Sequence, residues 1–104
     1  MSEPTAQGEI WTVRTISGQE YSAVVADADM LARSRPTVMA ARVSPTREVP
    51  SALELLTVPL SDSEVVAVYS MATIPRTAFV ELKTRLTGEQ LERLKVALRA
   101  RFDL

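Results

Sequence analysis

Apolar residues recur along the chain in two rhythms. Toward the C-terminus, Leu91, Leu94, Leu98 and Phe102 fall at helical spacing with Ala97 beside them, while Glu89, Glu92, Arg93, Lys95, Arg99 and Arg101 take most of the remaining circumference. The spacing predicts a helix beginning near Thr87, because Thr87 stands three residues before Gln90 and a hydroxyl and an amide at that separation can satisfy each other's backbone amides. Acids in its first turns and arginines in its last suit the helix dipole. A helix with one apolar stripe is not stable alone in water, so the rest of the chain must supply the surface it covers.

That surface reads as sheet. Glu9 to Ile16 and Tyr21 to Asp27 are rich in β-branched and aromatic residues, and Ser17-Gly18 between them predicts a tight hairpin turn. One turn of helix is expected at Ala28 to Ala32, then a third strand at Thr37 to Val43 with Pro36 before it and Pro45 marking its end. Further strands are expected around Leu53 to Val58, at Val65 to Ile74 and at Phe79 to Lys83. The run Val65 to Ile74 is apolar on both alternations, which predicts burial on both faces. Residues 1–7 are polar and predict a flexible tail, leaving 8–104 as a single domain. The expectation is a mainly β (α+β) fold, a small, partly open barrel of about six strands closed by the terminal helix.

Composition narrows the chemistry. With 104 residues the chain is long enough for one core and small enough that a second copy could bury much of what remains, so a homodimer is expected. No run of about 18 apolar residues or signal-peptide pattern is present, which points to a cytoplasmic protein with no membrane segment. The absence of cysteine and histidine removes disulfides, thiol nucleophiles and ordinary zinc sites, and the carboxylate pairs Asp27/Asp29 and Asp62/Glu64 are accounted for by turn chemistry; no metal and no cofactor are expected. Net charge is −1, yet between Met30 and Arg47 stand four arginines (Arg33, Arg35, Arg42, Arg47) and no acid, so a locally basic face is predicted.

Three passages carry a family resemblance. Gly8-Glu9-Ile10-Trp11 at the first strand, the strand-turn-strand passage Val65 to Leu82, and the ending Leu86-Thr87-Gly88-Glu89-Gln90-Leu91 resemble the MazF/PemK/Kid toxins in that order along the chain. The resemblance implies an SH3-like barrel with a terminal helix, a homodimer, a cognate antitoxin of a bacterial toxin-antitoxin pair, and metal-independent cleavage of single-stranded RNA. A second function carried by the same superfamily is non-nucleolytic: a gyrase poison like CcdB, whose site would lie at the helix end near Arg101-Phe102-Asp103-Leu104, or a degenerate toxin kept for binding.

Family members usually carry an Arg-Pro pair where the second strand begins and a Thr or Ser just after the third. Here the third strand ends Val43-Ser44-Pro45-Thr46, so the resemblance puts the catalytic hydroxyl at Thr46, with Ser44 as the alternative register. The arginine is not matched: the second strand opens Gln19-Glu20-Tyr21-Ser22. Arg47, beside Thr46, and Arg14, on the hairpin partner, are the candidate replacements to stabilise the phosphate's developing charge. Arg33, Arg35, Arg42, Gln19, Tyr21 and Arg76 are the candidate RNA- or antitoxin-binding residues, Tyr21 as a surface on which a base could stack.

Overall fold

The computed structural model describes residues 3–102; Met1 and Ser2 of the expected tail, and Asp103 and Leu104 of the helix end considered for the gyrase-poison alternative, lie outside the described residues. The elements run β1 (Glu9–Arg14), β2 (Glu20–Val25), α1 (Asp29–Ser34), β3 (Thr37–Pro45), β4 (Thr57–Pro59), β5 (Glu64–Pro75), β6 (Phe79–Arg85) and α2 (Gly88–Phe102). The strands form one antiparallel sheet in the order β4-β5-β3-β2-β1-β6. The mainly β architecture closed by a terminal helix is as the hydrophobic pattern predicted.

Strand alternation splits the core in two. In β2, Ala23 and Val25 join Trp11, Val13, Val38, Ile74 and Phe79 on the face that Ala32 of α1 covers, whereas Val24 turns to the other face with Ile10, Val58, Val66 and Val68, under Leu94 and Ala97 of α2. Trp11 and Phe79 meet edge to face at 6.0 Å. The motif Gly8-Glu9-Ile10-Trp11 therefore has a structural basis. Gly8 adopts φ +91°, which strains any other residue, and an added Cβ would lie 3.0 Å from Leu91 Cδ1 and press on that side chain of α2.

The capping box at α2 forms as expected: Thr87 N donates to Gln90 Oε1 at 2.9 Å, and Gln90 N donates to Thr87 Oγ1 at 3.2 Å. The apolar stripe ends early, however. Phe102 is exposed, and the last anchor is instead Arg101, whose Nη1 donates to the Tyr69 carbonyl at 3.0 Å.

Other expectations are corrected. Ser51–Leu56 is a 3₁₀ helix rather than strand, started by Pro50 at φ −61° and closed by the Thr57 hydroxyl donating to the Glu54 carbonyl at 2.7 Å; β4 is only its short sequel. The long strand β5 is buried on both faces over Val65–Val68 only; Ser70, Ala72 and Thr73 are exposed. A register shift explains the change, since Ala41 faces Met71 while Arg42 faces Ala67, and the extra β5 residues bend the sheet there. The β1–β2 turn is longer than Ser17-Gly18: Gly18 N bonds the Thr15 carbonyl, Gly18 sits at φ +89°, and Thr15 N returns to the Gln19 carbonyl.

Of the expected tail, Pro4 to Gln7 lie on the sheet. Pro4 is buried, Gln7 Nε2 donates to the Ala26 carbonyl, and Thr5 N, Thr5 Oγ1 and Ala6 N all donate to the Glu9 carboxylate. A polar segment is ordered here because a buried acid needs its donors.

Candidate active site

The register of β2 against β3 pairs Ala23 with Arg42. Continued by two residues, it sets Tyr21 across from Ser44. Tyr21 is half-buried, and the Arg42 guanidinium lies 4.4 Å over its ring. A cation from the neighbouring strand therefore stands over the side chain at the start of β2. Val43 packs against the α2-side core, so Arg42 and Ser44 both project to the opposite face. Their α-carbons are roughly 7 Å apart, as for any two residues separated by one in a strand, which lets both side chains reach one phosphate.

Thr46 begins a 3₁₀ turn (Thr46–Glu48) just past β3, its amide donating to the Ser63 carbonyl at 2.8 Å. It lies four residues from Arg42, roughly 13 Å along an extended strand. The side chains around it form a separate cavity of about 240 Å³ lined by Val49, Glu54, Thr57, Val65 and Arg93. Arg93, held by its Nε to the Thr57 carbonyl at 3.3 Å, is a cation near Thr46 that sequence order alone did not suggest, because it comes from α2.

Arg47 is exposed beside Thr46. Arg14 is elsewhere: its guanidinium pairs with Glu20 at 2.6 Å, and the cavity it lines is shared with Thr12, Val80 and Glu81 rather than with Thr46. The structure does not bring Arg14 and Thr46 into one cavity.

The basic segment is divided by β3 itself. Arg33 and Arg35 precede the strand and Arg47 follows it, and nine extended residues span roughly 30 Å. All four arginines are exposed and none pairs with a carboxylate among the described residues. Gln19 is exposed in the β1–β2 turn. Arg76 has a different occupation, because its Nε donates to the Arg35 carbonyl at 2.9 Å, its Nη1 to the Pro4 carbonyl at 2.8 Å and its Nη2 to the Ala32 carbonyl. It ties the N-terminal segment and the end of α1 to the start of β6.

Among the described residues no group of three or more acids lies close enough to hold a metal ion, and no helix is long and apolar enough to cross a membrane. No protein-family model and no curated protein matches the sequence. The backbone does find counterparts. It matches a mycobacterial endoribonuclease solved in complex with its cognate antitoxin, at TM-score 0.79 and 14% identity over 95% of both chains. It matches a second mycobacterial endoribonuclease at TM-score 0.77 and 14% identity, over 95% of this chain and 91% of that one. The Mycobacterium tuberculosis toxin MazF-mt6 matches at 0.75 and 20% identity, over 92% of this chain and 97% of the toxin. The chain has the MazF toxin fold.

Within the MazF fold, part of the passages quoted for the resemblance builds the core. Glu9, Trp11, Val66 and Val68 are buried, and a core kept in this way is compatible with a backbone shared at such low identity.

Proposed function

We propose that the chain is a MazF-type endoribonuclease toxin that cleaves single-stranded RNA, acts as a homodimer and is held in check by an antitoxin. The match to two solved endoribonucleases and to a MazF toxin, over 92–95% of this chain, carries this reading. What supports it at the site is the Arg42 guanidinium over Tyr21, with the Ser44 hydroxyl one alternation further along the same strand face.

In this reading the ribose 2′-oxygen attacks the adjacent phosphorus and the 5′-oxygen of the next nucleotide leaves. The products are a 2′,3′-cyclic phosphate and a 5′-hydroxyl, with one proton lost at the attacking oxygen and one gained by the leaving oxygen. Arg42 and Ser44 donate to the non-bridging oxygens as charge accumulates there, and Tyr21 holds the guanidinium in place. Thr46 and Arg93 then line the path of the neighbouring nucleotide. The exposed arginines Arg33, Arg35 and Arg47 supply long-range attraction for RNA or for an acidic antitoxin segment, an attraction that weakens with salt.

Purified protein incubated in chelator with mixed-sequence single-stranded RNA tests the assignment. Wild type is expected to give cyclic-phosphate ends, and Arg42→Gln or Ser44→Ala to lose roughly 10²–10³ in rate, the usual cost of one transition-state donor. Arg14→Gln should retain cleavage. Loss in Thr46→Ala with retention in Ser44→Ala would move the hydroxyl to Thr46. Intact RNA after hours with micromolar wild-type protein rejects the nuclease.

A further inference from the structure

The opposite face of the sheet holds a second group of polar side chains that the cleavage chemistry does not use. Where β6 passes β1, Ile10 faces Thr84 but Trp11 faces Leu82, so Lys83 is the extra residue of a bulge. Bulges re-aim side chains. Lys83 reaches across β1, and its Nζ donates to Ser22 Oγ on β2 at 2.9 Å. Among the described residues it pairs with no carboxylate, so this ammonium is held in position by a neutral hydroxyl. Arg85, two residues on, lines the same cleft and spends one terminal nitrogen on the buried Glu9 at 3.3 Å, leaving its other donors free of protein partners among the described residues.

The cleft has a volume of about 290 Å³. One wall is apolar, made of Ile10, Val43 and Leu60; the other carries Ser61, Glu64 and Gln90. Two cations and three apolar side chains lining one cleft suit a group with one anionic end and one planar or ring-shaped end. The lone carboxylate of Glu64 disfavours a strand of acidic side chains but accepts from hydroxyls.

We propose that this cleft is a nucleotide subsite: the phosphate sits on Lys83 and Arg85, the base or sugar packs on Leu60 and Val43, and a ribose hydroxyl donates to Glu64. The site lies on the α2 side of the sheet, away from Arg42 and Ser44. It rests on the RNA reading for the identity of its natural ligand, but binding here does not require cleavage there.

Titration of the full-length, isotope-labelled protein with nucleoside 5′-monophosphates tests it, followed by the methyl signals of Ile10, Val43 and Leu60. Millimolar nucleotide is expected to shift these signals. Lys83→Met should weaken binding about 10-fold, the loss of one charge-assisted hydrogen bond. Leu60→Asp, which leaves the β6 bulge untouched, should abolish it. No shift with nucleotide, or an unchanged affinity in Lys83→Met and Leu60→Asp, overturns the proposal. Equal binding of inorganic phosphate removes the nucleoside from the site, and preferential binding of a glutamate-rich peptide makes it a peptide site; either result also overturns it. Because the readout is binding, an inactive nuclease with a functional cleft, or the reverse, separates this proposal from the assignment of cleavage.

Discussion

Replacing Arg76 separates a residue that holds the fold from one that holds RNA. From the turn between β5 and β6, its three donating nitrogens reach carbonyls of Pro4, Ala32 and Arg35. Each charge-assisted hydrogen bond is worth about 1.5–3 kcal/mol where it is well shielded, so three set an upper bound of roughly 4.5–9 kcal/mol. Arg76 is only half-buried, and water can replace part of that network in a variant. The expected loss for Arg76→Met is therefore about 2–4 kcal/mol, a fall in melting temperature of roughly 10–20 °C for a domain this size. Thermal unfolding measures the total. Hydrogen exchange locates it: the amides of Ala32 and Arg35, which close α1, should lose protection before those of β2 or β3. Arg76→Lys should recover little, since one ammonium cannot span three carbonyls in a fork. A melting temperature within about 2 °C of wild type, together with RNA or antitoxin binding that weakens, would refute the structural role and return Arg76 to the binding surface.

Glu9 gives the protein an acid-sensitive contribution to stability. Burial pushes its carboxyl up, but donation from Thr5, Trp11 and Ala6 outweighs that and holds it below the ordinary value of 4.5. A depressed folded-state value means the contribution is complete above that ordinary value and lost as pH falls through the folded one. The melting temperature should therefore drop as pH is lowered below about 4.5, and Glu9→Gln should flatten that part of the curve; an identical acid limb in the variant would be inconsistent with it. Thr87→Ala should cost about 1 kcal/mol through loss of the α2 cap, read as a lower denaturation midpoint with an unchanged slope. Sedimentation at micromolar concentration should show a dimer, and a species of 11.4 kDa alone would remove that assembly from the proposal.

The sequence by itself determined the architecture. The strand composition of β1, β2 and β3, the capping box at Thr87 and the stripe Leu91, Leu94 and Leu98 are local signals, and each is set by neighbours close in the chain. It also marked Gly8, Glu9 and Trp11 as significant without saying why. The reason is tertiary: Gly8 makes room for Leu91, and Glu9 ties residues 5 and 6 to Trp11. Which cations meet which hydroxyls could not be read in one dimension. Arg42 stands over Tyr21 because two antiparallel strands share a register, Arg93 reaches the Thr46 cavity from a helix far along the chain, and Lys83 meets Ser22 only because a bulge turns it across β1. Arg76 looked like surface charge because its three acceptors are backbone carbonyls, groups present at every position that acquire a partner only when the chain folds back on itself.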